Sequence, residues 1–286
     1  MINPNMTLSL AVMSGKGGVG KTSISLNLGY ALHAAGLKTL LMDCDLGLAN
    51  LDVLLGIAPE KNLQDLLKHD IDTSDVAVAV EPDGLDVLPA ASGVPELVEM
   101  DEDMQNVMLD KIVQLAGSYN MLILDLGAGI SRTVMTFASM AQLRLVVVTP
   151  EPTSLTDGYA VIKVLATEHG VRDFLVVVNQ VESKAEAERT FTRLSEACKT
   201  FLGIEIRNLG HIRDDRNVSE AVRRQKALLK IAPSSPAAQD IVKLGRIFLR
   251  YRTDNAESIA QRPVLKQFPG TRRNLGLTEV PVFRHR

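Results

Sequence analysis

The chain has 286 residues, 46% of them hydrophobic, which is ample for one large α/β core or two small ones. It has no Trp and only 4% aromatic residues, so no aromatic platform for stacking nucleobases is legible; no apolar run approaches the ~20 residues of a membrane span, and the opening MINPNMTLSL lacks the basic start and apolar stretch of a secretory signal. The net charge of −3 is unevenly placed: from Ala221 to Arg286, 14 Lys and Arg stand against 4 Asp and Glu, a balance of +10 that leaves −13 on the remainder, which reads either as a solvated basic end or as a contact for an anionic surface, lipid or nucleic acid.

In chain order, TLSLAVM (7–13) predicts a strand. KTSISLNLGYALHAAG (21–36) predicts a helix with Ile24, Leu28, Ala31 and Leu32 on one side and Gly36 as its stop. KTLLMD (38–43) is the next strand, and Asn62 can cap a short helix over LQDLLKH. Further strands are expected at 85–90, 121–125, 143–149 and 174–180, with helical stretches near 95–116, 131–141, 154–169 and 184–202 between them. The strands are continuous apolar runs rather than alternating ones, as expected when helices cover both sheet faces. The series is βαβ, so the fold class is α/β: a doubly wound, mainly parallel sheet flanked by helices. In DIVKLGRIFLRY (240–251), Ile241, Leu244, Phe248 and Tyr251 share one side and Lys243, Arg246 and Arg250 another. This helix either covers the sheet or lies on an anionic membrane. After Tyr251 the periodicity fades through three prolines. The expected division is therefore one α/β domain over 1–252 and a basic, extended or loosely docked tail over 253–286.

The chemistry concentrates in SGKGGVGKTS (14–23). Gly15-Lys16-Gly17-Gly18-Val19-Gly20-Lys21-Thr22 fits G-x-x-x-x-G-K-[ST], follows a strand and opens a helix, the context that a phosphate loop requires. The glycines let backbone N–H groups turn toward phosphate oxygens, and the helix N-terminus, which continues through Ser23, adds partial positive charge. Lys21 is expected to reach the β- and γ-phosphates, and the Thr22 hydroxyl to coordinate Mg²⁺. Lys16 is surplus to one such loop and is a spare cation. MLILDLGAGIS (121–131) is an apolar strand ending in Asp125 and a glycine-rich turn, the Walker B arrangement in which the carboxylate holds the Mg²⁺ shell. Asp43 and Asp45 stand at the end of another strand, where ligand chemistry gathers in doubly wound sheets. Cys44 and Cys198 form no C-x-x-C or His-rich cluster and read as small packing residues in a reducing compartment.

GKGGVGKT resembles the deviant phosphate loop of the MinD/ParA ATPases. The resemblance covers roughly residues 7–250 and implies a Mg²⁺-dependent ATPase that forms a homodimer when ATP is bound, with Lys16 crossing to the partner's phosphates. It implies that Asp43 supports the Mg²⁺ shell and that Asp45 orients the attacking water. It also implies that Asn179 reads adenine. Asp214 would be a further base contact, although Arg213 stands at or near the position where the family usually has Pro. DLGAGIS (125–131), TPEPTSLTDGYAVIKVL (149–165) and NVSEAVRRQKALLKIAPSSPAAQDI (217–241) are most similar to the FlhG/FleN group of flagellar-number regulators. That likeness implies a cytoplasmic protein that limits flagellar number or sets flagellar position, with peripheral contact at the inner face of the membrane. Its usual partners would be a signal-recognition-type GTPase, C-ring switch proteins and sometimes a transcription activator. Only about six residues precede the first strand, whereas many members carry a glutamine-containing extension that activates the GTPase, so that activity is left open. One alternative is a ParA/MinD-type positioning ATPase for DNA, the septum or another cargo, with the overall negative charge arguing against DNA coating. Another is an iron–sulfur carrier on the same fold.

Overall fold

Continuous apolar runs become a single eight-stranded sheet. The structure, a computed structural model, describes residues 3–45, 51–68, 71–90 and 100–267. Its strands are β1 (Leu8–Ser14), β2 (Thr39–Cys44), β3 (Val78–Glu81), β4 (Leu85–Leu88), β5 (Met121–Ala128), β6 (Leu143–Val148), β7 (Leu175–Val181) and β8 (Arg207–Arg213). They run in the order β3-β4-β2-β5-β1-β6-β7-β8, and only the β3–β4 pair is antiparallel. The helices are α1 (Lys21–Ala34), α2 (Leu51–Leu55), α3 (Glu102–Ala116), α4 (Arg132–Met140), α5 (Pro152–Glu168), α6 (Lys184–Leu202), α7 (Arg216–Arg223), α8 (Leu228–Ile231), α9 (Pro236–Asp254) and α10 (Ala256–Ala260).

Strand side chains alternate between two cores. Leu8, Leu10 and Val12 of β1 pack with α1, α8, α9 and α10, whereas Ala11 and Met13 pack with α3, α4, α5 and α6. Both sheet faces are dry, which is why the strands read as unbroken apolar runs. Local chemistry starts and stops the helices. Ser131, Ser183 and Ser235 accept a backbone N–H at the starts of α4, α6 and α9, Pro236 sits at the first turn of α9, and Gly203 takes the left-handed conformation that ends α6.

The structure departs from the sequence expectations at the sheet edges and in the short turns. β3 and β8 were not expected; both are edge strands, β3 has four residues, and RNLGHIR of β8 is polar over most of its length. The segment after Asn62 is a 3-10 turn over Leu63–Leu67, closed by reciprocal bonds between Asn62 and Asp65. The start of the helical stretch expected from 95 lies outside the described residues, and α3 begins at Glu102. The boundary expected at 252 falls inside α9. The chain then forms α10 and buries Val264 and Leu265. Ser9 Oγ donates to Val264 O, Lys266 N to Met140 O at 2.9 Å, and Gln142 Nε2 to Pro263 O at 2.9 Å. The rest of the expected tail, 268–286, lies outside the described residues.

α9 resolves the choice between covering helix and interfacial helix. Ile241, Leu244 and Phe248 are buried in the core beside α1, and Gly245 permits the approach, since a Cβ there would lie 3.1 Å from Ala31 Cβ. The apolar face is spent on the sheet, and no described helix is long and apolar enough to cross a membrane. Phe248→Ala should therefore cost about 3–5 kcal/mol of stability. A clear drop in Tm is the expected result; an unchanged Tm with lost vesicle binding would put this side chain on the surface instead.

Candidate functional site

The C-terminal ends of β1, β2, β5, β7 and β8 bring the expected residues to one edge of the sheet. β1 runs straight into the phosphate loop. Gly18 and Gly20 adopt φ of +80° and +88°, conformations open to glycine. A Cβ at Gly17 or Gly18 would meet nothing within 4 Å, so this side of the loop is open space. At Gly15, by contrast, a Cβ would collide with the Asp157 backbone of α5, and at Gly20 it would lie 2.5 Å from Asn179 Nδ2. Val19 is buried in the α1-side core and fixes the loop's base. These contacts explain which glycines are needed for curvature and which for close approach.

Lys21 and Asp125 form the buried centre. Lys21 Nζ lies 3.4 Å from Asp125 Oδ1 and 3.4 Å from Thr22 Oγ1, with the Lys21 and Asp125 side chains 8% and 1% exposed. Ser25 Oγ donates to the same Asp125 oxygen at 2.8 Å. Asp125 Oδ2 is buried without a hydrogen-bond partner. Burial pushes the Asp125 carboxyl above its usual range; Lys21, Thr22 and Ser25 pull in the opposite direction. A solvent-excluded carboxylate oxygen without a partner is a position prepared for a cation or its water shell. No three His, Cys, Asp or Glu side chains converge as a ready-made metal cage among the described residues. Mg²⁺ takes one or two carboxylates together with substrate phosphates, and Asp125 with the Thr22 hydroxyl beside Lys21 is a donor set of that kind.

Asp43 sits beside Asp125 in the β2–β5 register and is 1% exposed. Its carboxylate accepts Asp45 N at 3.0 Å and Leu51 N at 3.1 Å, so it ties together both described ends of the segment that leaves β2. Asp45 lies next to the glycine-rich turn after Asp125: a Cβ at Gly127 would lie 3.4 Å from its carboxyl carbon. Cys44, between the two, is buried, and its thiol is pushed well up by burial, then by Asp43 and Asp125. Burial likewise pushes the Cys198 thiol up to about 11. Both cysteines are packing residues of the core on the α3–α6 face.

Asn179 and Asp214 come together at a cleft lined also by Gly20, Ser23, Gln180 and Val218, with a volume of about 80 Å³. Asn179 Nδ2 donates to Val19 O at 2.8 Å. The residue expected to read adenine thus also braces the phosphate loop. Asp214 is exposed, and its N–H donates to Val181 O at 2.9 Å. Arg213 also lines the cleft and is held in a paired contact with Asp240, at 2.7 and 3.0 Å.

Lys16 does not point at its own chain's phosphate site. Its Nζ donates to Glu151 Oε2 at 2.7 Å and to Thr153 Oγ1 at 3.2 Å, in the first turn of α5. Glu151, Thr153 and Ser25 were not singled out from the sequence. Ser25 follows Lys21 by one helical turn, a spacing that places both on one helix side. The Glu151 contact crosses 135 positions and has no local signal.

A P-loop opening the first helix of a parallel sheet, with a buried strand-end carboxylate opposite its lysine, defines a nucleoside-triphosphate-binding domain. Residues 10–229 match the family described as the CobQ/CobB/MinD/ParA nucleotide binding domain, and the chain belongs to that family. It is 38% identical over 229 residues to antiactivator FleN of Pseudomonas aeruginosa, covering 80% of this chain and 81% of that one. It is 34% identical to the flagellum site-determining protein YlxH of Helicobacter pylori, covering 86% and 83%. Among solved structures it resembles the septum site-determining protein MinD complexed with Mg-ADP from Pyrococcus horikoshii, with TM-score 0.68, 25% identity and coverage of 89% and 98%. The MinD/ParA resemblance, its leaning toward the flagellar regulators and the α/β fold expected from the sequence are matched. The family consists of ATPases, with ATP and Mg²⁺ as its typical ligands.

Proposed function

We propose that this protein is an ATP-hydrolysing switch that dimerises on ATP and regulates flagellar number or placement. The observation that carries the chemistry is the buried Asp125 oxygen without a partner, on a carboxylate whose other oxygen lies 3.4 Å from Lys21 of the phosphate loop. The flagellar reading is supported by the likeness to FleN and YlxH over four fifths of the chain. The MinD and ParA neighbours support a positioning ATPase of another cargo as the second reading.

In this reading the loop amides and Lys21 bind the β- and γ-phosphates. Thr22 and Asp125 hold Mg²⁺, with Asp43 behind them; the ion neutralises phosphate charge when bound. Asp45 orients the attacking water beside the Gly127 turn. Asn179 and Asp214 face the base. Lys16 leaves Glu151 and reaches the phosphates of a second copy. A signal-recognition-type GTPase and C-ring proteins are the partners this function calls for. Peripheral contact with an anionic membrane rests on the basic balance of residues 221–286 and not on the apolar face of α9. The direct test of the nucleotide site is titration with a fluorescent ATP analogue and Mg²⁺. Lys21→Ala should weaken binding about a hundredfold, the scale of one lost charge-assisted contact in a shielded site. Equal affinity in the two proteins would remove Lys21 from the site.

A further inference from the structure

Gln225 occupies a position where helices favour glycine. α7 ends in a Schellman turn: Lys226 N donates to Ala221 O, and Gln225 N to Val222 O. The residue in the middle of this turn is left-handed, and Gln225 has φ +52°, a conformation that disfavours any residue with a Cβ. The side chain has a specific use there. Its Nε2 donates to Val53 O at 3.0 Å. Its Cβ and Oε1 cover Gly56, where an added Cβ would lie 3.3 Å from each. Val53 belongs to α2 and Gly56 follows it. The start of α2 is tied to the phosphate end of the site through Leu51 N and Asp43 Oδ2. The start of α7 lines the base cleft through Val218 and Ser219, next to its cap Asp215. A single strained side chain therefore bolts the helix anchored on Asp43 to the helix that walls the base cleft.

We propose that Gln225 is a positioning residue for ATP hydrolysis. It holds α2, and through Asp43 the backbone of Asp45, in register with the base-binding end of α7. It touches no nucleotide itself. Backbone strain kept at a residue far from the reacting atoms is how such registration is maintained when the surrounding contacts over-determine it. The kinetic arm of the proposal rests on the ATPase reading above, and the exchange arm does not.

The test uses the full chain with Gln225→Met, Gln225→Lys and Gln225→Gly. Met matches the length and cannot donate; Lys carries an amine that reaches the same carbonyl; Gly relaxes the turn and removes the donor. Met and Gly should lower kcat about tenfold with KM for ATP nearly unchanged, the scale of losing one hydrogen bond that orients a catalytic element. Lys should recover most of the rate, and the Gly variant should melt no lower than wild type, which separates lost rate from lost stability. Wild-type kcat in the Met variant, or a fall that Lys does not recover, overturns the proposal. Hydrogen–deuterium exchange with and without Mg-ADP gives the second arm. ADP should slow exchange over 215–222 and 51–57 in wild type and the Lys variant, but only over 215–222 in the Met variant. If that pattern holds in a chain that does not hydrolyse ATP, the ATPase reading fails with the kinetic arm, while the Gln225 tie between α2 and α7 stands. If 51–57 fails to respond in wild type, or responds equally in the Met variant, the assignment fails by itself.

Discussion

Lys16→Ala should leave ATP bound to single subunits while abolishing dimerisation and turnover. Binding survives because Lys21, Thr22 and the loop amides remain, while the Lys16 ammonium rests on Glu151 and Thr153. That resting contact is no obstacle to crossing. The Lys16–Glu151 pair is exposed, 41% and 62% by side chain, and exposed ion pairs are worth less than about 1 kcal/mol. Without Lys16, phosphate charge faces phosphate charge across the proposed interface. Loss of a transition-state cation in phosphoryl transfer costs on the order of a thousandfold in rate. The measurement is light scattering with ATP in an Asp45→Ala background, with and without Lys16→Ala, together with phosphate release in the wild-type background. If Lys16→Ala dimerises and hydrolyses normally, Lys16 is only a loop residue and the ATP-sandwich reading loses its main support.

Asp45→Ala should bind ATP, stop hydrolysing it and accumulate as the dimer. The bond to Asp43 survives the substitution, because the backbone N–H of Asp45 makes it. The carboxylate beside Gly127 is the group removed. A positioned residue that orients water or moves its proton contributes about a hundredfold to ten-thousandfold, so turnover should fall by at least two orders of magnitude. Phosphate release and size-exclusion chromatography in ATP check the two halves separately. Turnover at the wild-type rate would take the water-orienting role away from Asp45.

The strands from β1 to β7, except the short edge strand β3, were legible because both sheet faces are dry and each strand reads as one apolar run. β8 was not, because Arg207, Asn208 and His211 belong to an edge that solvent reaches. The phosphate loop and Asp125 were legible because each motif is local: backbone geometry and chemistry lie within a dozen residues. Glu151 under Lys16 and Gln225 against Val53 were not, since they meet their partners across 135 and 172 positions. Asn179 came from the family resemblance, but its grip on Val19 needs the two strand ends side by side. The docking of residues 255–267 carried no periodic signal because it is made of backbone bonds and two buried side chains rather than of a helical face.

That docking fixes where the protein can be held. Val264 is bonded to Ser9 near the start of β1, while the phosphate loop leaves the other end of the same strand after Ser14. At roughly 3.3 Å per residue the two lie about 20 Å apart. The docked stretch through Lys266 therefore lies away from the nucleotide face, and each subunit of the proposed dimer would bring its own point of attachment there. Two weak holds on one surface act at high effective concentration, and avidity of this kind can exceed either single affinity by about a hundredfold or more. Nucleotide state would then govern residence on a surface by counting attachment points, without altering any one of them.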